Sequence, residues 1–130
     1  MVGSVEELEG ELVALSELLT TPRGKECLFC YSYRMLNSHG CNGKLRWAAH
    51  WRNLRAPRAT ALERRLGSHG GFCDCEIFMN GWTASSAITT YDFETDDEIW
   101  PNPMPECPGV RPRSTQPCPL WQRLSRRRGW

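Results

Sequence analysis

Gly70-Gly71-Phe72-Cys73-Asp74-Cys75-Glu76-Ile77 is the stretch on which the reading of this chain turns. Its two cysteines stand one residue apart, directly after a diglycine that permits backbone angles other residues resist. In an extended segment, alternate side chains point to one side, so Cys73 and Cys75 would aim both sulfurs at the same volume. Thiolates bind zinc tightly, and a structural zinc site takes four donors in a tetrahedron. Two further sources of sulfur lie upstream. Cys27 and Cys30 form a C-x-x-C whose members, at i and i+3 of a predicted helix, share a face. Cys41 follows Gly40 at the expected end of that helix. Five thiols therefore compete for four positions: Cys73, Cys75, Cys41 and either Cys30 or Cys27. The expectation is one zinc ion per chain, with buried and inert cysteines as the plainer alternative.

The cysteine count supports metal over disulfides. Seven is odd, so the set cannot be fully paired. The start of the chain has neither a basic leader nor an apolar run, and no apolar stretch approaches the roughly 20 residues of a membrane span. An intracellular, cytoplasmic chain is expected. In a reducing compartment such a density of cysteine reads as metal or thiol chemistry. Cys107 and Cys118 sit among prolines and read as loose thiols, dispensable for metal binding. A separate half-site, a place in the main site and oxidative pairing are the alternatives.

Residues 70–77 resemble the Gly-Gly-aromatic-Cys-Asp-Cys-Glu signature of an uncharacterised bacterial domain family common in actinobacteria. Gly40-Cys41-Asn42-Gly43-Lys44-Leu45-Arg46 is similar to that family's Cys-Asp-(His or Gly)-Thr-Leu-Arg segment, and the resemblance spans about 41–82. Where family members carry His two residues after the first Cys, that His is a natural fourth ligand. Gly43 stands there in this chain. The resemblance implies a zinc-binding domain and brings no reaction with it.

Outward from this centre, helices dominate. Ser4-Val5-Glu6-Glu7 is a capping box, and Leu8, Leu12, Leu15 and Leu19 follow at helical spacing. They predict an acidic amphipathic helix over about 5–19 that docks on the core. Leu28, Tyr31 and Met35 predict a second helix over 27–36, stopped by Asn37-Ser38-His39-Gly40. Trp47, Trp51 and Leu54 align over 44–54. Pro57 would open a fourth helix carrying Ala59, Leu62 and Leu66. Strands are expected at Ile77-Phe78-Met79 and around 87–93. After Trp100 the prolines at 101, 103, 105, 108 and 112 suggest an extended tail. The fold class is α+β: a small, mostly helical, zinc-stabilised domain of about four helices plus a short strand or hairpin, with a Pro-rich C-terminal tail. The division is 1–22 for the first helix, 23–95 for the cysteine-rich core and 96–130 for the Pro/Arg-rich tail.

Four thiolates leave no open coordination position, so Asp74 and Glu76 are read as carboxylates supporting the ligands. They would accept hydrogen bonds or a salt bridge from Arg46 or Arg65, rather than activate a metal-bound water. His39, His50 and His69 are expected at the surface or beside the site. The H-x-E and P-C-x-x-C pattern of zinc deaminases is absent. The reading is a non-enzymatic, zinc-binding interaction or regulatory module with a protein partner and no membrane association. One alternative is a nucleic-acid binder using Arg46, Arg52, Arg55, Arg58, Arg64 and Arg65 beside aromatics. The near-neutral net charge of +1 weakens it. The other is a thiol-redox enzyme built on Cys27 and Cys30, which lacks the βαβ context such a motif needs.

Overall fold

The computed structural model describes residue 15 and residues 17–124. Most of the expected acidic helix, and the Arg126–Arg128 end, lie outside them. Residues 15 and 17–20 are helical, yet Leu15 and Leu19 are 52% and 55% exposed, so this end of the stripe is not buried in the core.

Helix α1 runs over Leu28–His39 and buries Leu28, Phe29, Tyr31, Ser32 and Met35. It begins because Cys27 is extended and its sulfur accepts the amide of Cys30 at 3.3 Å, serving as an N-cap. It ends at Gly40, whose φ of 77° turns the chain while its N–H reaches the Leu36 carbonyl. Helix α2 covers Arg46–Arg55 and buries Trp47, Ala48 and Trp51, leaving Leu54 exposed. Helix α3 is shorter than expected, Leu62–Ser68, because residues 57–58 and 60–61 are turns and Pro57 does not open it. A single helical turn, α4 (Asp74–Glu76), passes directly into a wide π-type turn over Ile77–Gly81.

That turn replaces the strand expected at 77–79. The Ile77 amide bonds back to the Cys73 carbonyl at 3.3 Å, which commits the segment to a helical course. Gly70 permits the close approach that follows, since its φ is +84° and a Cβ there would lie 2.7 Å from the Cβ of Asn80.

Among the described residues, four three-residue strands make two separate antiparallel ribbons. Strand β2 (Thr90–Asp92) pairs with β3 (Asp97–Ile99), so the acidic run forms the turn and return of a hairpin. Strand β1 (Trp82–Ala84) pairs with β4 (Trp121–Arg123), matching Trp82 with Arg123 and Ala84 with Trp121. The second pairing brings the C-terminal segment home. Rather than standing off as an extended tail, it buries Cys118 and Trp121. Trp121 joins Phe78, Tyr33 and Trp100 with ring centroids 4.9, 5.4 and 5.5 Å away. Tilted and edge-on aromatic pairs of this kind add to the area they bury.

Core polar groups are largely satisfied. The Trp51 indole donates to the Glu26 carbonyl at 3.1 Å, and the Glu26 carboxylate takes two bonds from Arg34 at 2.8 and 3.0 Å. Among the described residues, the Ser32 hydroxyl is a buried side-chain group without a hydrogen-bond partner. Ser32→Ala is therefore expected to be neutral or to stabilise the fold by up to about 1 kcal/mol. Urea unfolding would check this, and a loss above about 1 kcal/mol would show that the hydroxyl has a partner after all.

Candidate metal centre

The structure sorts the cysteines into two groups, not one. Cys27, Cys30, Cys107 and Cys118 form the first, and Cys41, Cys73 and Cys75 the second; within each group all the sulfurs lie within 4.8 Å of one another. All seven are free thiols. The expected single site, drawn from Cys73, Cys75, Cys41 and either Cys30 or Cys27, is corrected on this point. Cys27 and Cys30 belong with Cys107 and Cys118, which are not loose.

The four-thiol group is built where the start of α1 meets the returning C-terminal segment. Cys27 is the N-cap and Cys30 lies in the first turn, so the pair straddles the helix start instead of sharing a helical face. Cys107 is positioned by two amides: the Cys27 N–H and the Gly109 N–H each donate to its sulfur at 3.4 Å. Cys118 sits just before β4, with its sulfur 3.6 Å from that of Cys30. The Trp121 indole N–H also points at the Cys30 sulfur, at 3.2 Å. Amide and indole donors aimed at sulfur stabilise the thiolate form and orient it for a metal.

These distances fit the group. A tetrahedral zinc with Zn–S bonds near 2.3 Å holds its sulfurs roughly 3.8 Å apart. Hydrogen bonds from Cys118 and then Cys30 push the Cys27 thiol well down, while those with Cys118 and then Cys27 push Cys30 up. Cys118 is pushed up to about 12, chiefly by its bond to Cys27. Cys27, Cys30 and Cys118 thus compete for protons across their mutual contacts, and a cation among them would favour their thiolate forms together.

Gly109 holds this corner in place. Its φ is +95°, and a Cβ there would lie 2.9 Å from the Cβ of Lys25. The contact is fixed because the Val110 amide bonds to the Lys25 carbonyl at 3.0 Å. Gly109→Ala is expected to cost about 1–3 kcal/mol through backbone strain and the clash with Lys25. Denaturant titration would measure it, and an unchanged midpoint would count against this corner as a fixed element.

The three-thiol group forms where the loop after α1 meets α4. Cys41 is exposed, Cys73 buried and Cys75 half-buried. The sulfurs of Cys73 and Cys75 lie 3.2 Å apart, and the Gly43 amide donates to the Cys41 sulfur at 3.4 Å. Burial raises the Cys41 thiol, but the amides of Cys75 and Gly43 outweigh it and leave the thiol lowered. Cys73 is pushed up to about 12, by burial first and then by Cys75.

Asp74 locks this geometry. It is fully buried, and its two oxygens accept the amides of Trp47 and Ala48 at 2.9 and 3.0 Å. Leu45, the formal N-cap of α2, makes no side-chain bond, so the Asp74 carboxylate, 27 residues beyond Trp47, satisfies the orphan amides of that helix. The Asp74 amide in turn donates to the Lys44 carbonyl at 3.1 Å. Burial pushes the Asp74 carboxyl up, against the two amides that pull it down. Its role is thus to hold the Cys41 loop against α4, with backbone amides as donors in place of the expected arginines. Glu76 receives the Asn80 side-chain amide at 3.5 Å.

The other expected residues lie elsewhere. His39 rests on Trp47, His50 faces Tyr31, and His69 packs edge-on to Trp82. Arg46 stacks over Trp47, Arg52 pairs with Glu63, Arg55 donates to the carbonyls of Pro22 and Gly24, and Arg65 donates to Thr115. Arg58 and Arg64 are exposed. Cys107 and Cys118, read from sequence first as loose thiols, are the cysteines that the structure places in a thiol group instead. Their signal was the turn-forming Cys107-Pro108-Gly109, which sets amides on a sulfur much as a capping turn does.

A family model described as Protein of unknown function (DUF2695) matches residues 28–80, a stretch that contains the whole three-thiol group but stops short of Cys107 and Cys118. An uncharacterized protein of Mycobacterium bovis is 35% identical over 71 residues, covering 54% of this chain and 72% of the relative. Uncharacterized proteins from two strains of Mycobacterium tuberculosis match to the same extent. No solved structure matches. By its mycobacterial relatives and the matched segment, this chain belongs to the DUF2695 family of proteins of unknown function.

Proposed function

We propose that the chain is a zinc-binding interaction or regulatory module of the cytoplasm, not an enzyme, and that zinc in the Cys27–Cys30–Cys107–Cys118 group holds its two ends together. The observation that carries this reading is the closed four-thiol set. Its S···S distance of 3.6 Å fits tetrahedral zinc, and amide and indole donors already point at the sulfurs. A full thiolate set leaves no position for a metal-bound water, which favours a structural or sensing role over hydrolysis. An interaction role is supported by the β2–β3 hairpin. There Tyr91 and Phe93 stack edge-on at 4.8 Å, with Phe93 88% exposed among Asp92, Glu94, Asp96, Asp97 and Glu98. Such an acidic, aromatic surface suits a protein partner better than a polyanion.

No observation favours the alternatives. Of the six arginines offered for nucleic acid, Arg52, Arg55 and Arg65 are bonded within the chain. A redox thiol must be reachable to attack, and Cys27 is fully buried. Among the described residues no helix is long and apolar enough to cross a membrane. The test is metal content of the untagged chain by native mass spectrometry, followed by chelator titration under circular dichroism. Zinc that leaves together with the fold supports the reading. A chain that is metal-free yet fully folded overturns it.

A further inference from the structure

The two thiol groups differ in a way that points to different chemistry. The first is closed: four sulfurs, two of them fully buried. The second has three sulfurs, and among the described residues no further His, Cys, Asp or Glu completes it. It also opens to solvent, since Cys41 is exposed and Cys75 half-buried. Three protein ligands with a free fourth position is the arrangement of metal sites that bind an exogenous group, whereas structural sites fill all four. The loop and α4 that carry the three sulfurs are fixed by the buried Asp74, so the opening belongs to a rigid cradle and not to an unfinished one.

We infer that Cys41, Cys73 and Cys75 hold a second divalent zinc-type ion whose open position takes a thiolate from another molecule. Two considerations select a thiolate. Three thiolates overcompensate a dication, so the ion polarises a bound water only weakly; a soft donor set favours a further soft donor. The incoming thiol coordinates through sulfur and releases its proton to solvent, with no change of oxidation state. A second copy of this chain cannot supply the ligand, because the two groups use all seven cysteines. The source is therefore a small thiol or a cysteine of a different protein.

The inference rests on thiolate metal binding as proposed above, and the test separates the two. The full chain is loaded with cobalt(II), and its thiolate-to-cobalt absorption is followed during titration with 2-mercaptoethanol. A parallel arm uses a blocked peptide of about ten residues containing one cysteine. Two cobalt ions per chain are expected. Saturating thiol should raise the absorption by about one seventh, as eight thiolates replace seven. Saturation by the small thiol assigns a small-molecule source, and saturation by the peptide alone assigns a protein cysteine. Cys41→Ser, at an exposed position, should abolish the response while the four-thiol ion remains. Absorption that neither titrant changes overturns the inference, as does a response that survives Cys41→Ser. If the chain binds one cobalt, lost in Cys118→Ser and kept in Cys75→Ser, this inference fails while the function proposed above stands. If it binds none, both fail.

Discussion

Cys118→Ser is expected to remove the metal ion proposed for the four-thiol group and to unfold the domain at 37 °C. Structural zinc contributes on the order of 10 kcal/mol or more in small metal-dependent folds. Net domain stability is only about 5–15 kcal/mol. In this chain the effect is concentrated, because Cys118 is buried, closely precedes β4, and anchors a segment whose only regular pairing among the described residues is three residues of β1–β4. Trp121, which fills the aromatic cluster, is placed by the same turn: its amide bonds to the Cys118 carbonyl at 3.2 Å. Losing the ion should therefore release the C-terminal segment and expose Phe78, Tyr33 and Trp100. Native mass spectrometry should show one ion fewer, and circular dichroism should show loss of the aromatic signal with the cooperative transition. Wild-type stoichiometry with a melting temperature within a few degrees of wild type would remove the case for a metal in this group.

Asp74→Ala is expected to cost about 3–5 kcal/mol, a large effect for a residue that is not itself a candidate ligand. The carboxylate is fully buried and bonded to two amides at the start of α2, so its removal leaves both donors without a partner in a place water cannot reach. The loss has a second consequence: the Cys41 loop and α4 come apart, and the three sulfurs lose their spacing. Asp74→Asn keeps the shape but offers one oxygen and one N–H₂ to two amides, so it should cost roughly half as much. Guanidinium unfolding of the three proteins side by side would measure this order. An alanine variant within about 1 kcal/mol of wild type would mean that the amides find other acceptors.

Much of the helical fold was legible because it rests on local periodicity. Trp47 and Trp51, and Leu28, Tyr31 and Met35, recur at helical spacing and are buried as that spacing implies. The Cys-Asp-Cys stretch was legible as a centre, but its conformation was not. Alternation suggested an extended segment, whereas the side chain of Asp74 is committed to the amides of a helix 26 and 27 residues earlier, and the segment turns to deliver it. No local pattern carries such a debt. The partition of the thiols was hidden for a similar reason. Cys30 meets Cys118 across 88 residues, and that encounter depends on β4 pairing with β1 and on Gly109 fitting against Lys25. Proline content argued for an extended tail, and the tertiary contacts of Trp121 override it.

The separation between Cys30 and Cys118 also sets an order of events during synthesis. A ribosome adds about 5–20 residues per second. The 88 residues between these cysteines therefore correspond to roughly 4–18 seconds in which Cys27 and Cys30 have left the peptidyl-transferase centre and Cys118 has not yet been made. Cys41, Cys73 and Cys75 are all translated within that interval. If it binds an ion as inferred above, the three-thiol cradle can capture that ion on the nascent chain, while the N-terminal pair waits for its partners. Under metal scarcity the two centres would then load in sequence of synthesis, the inner cradle before the outer clasp.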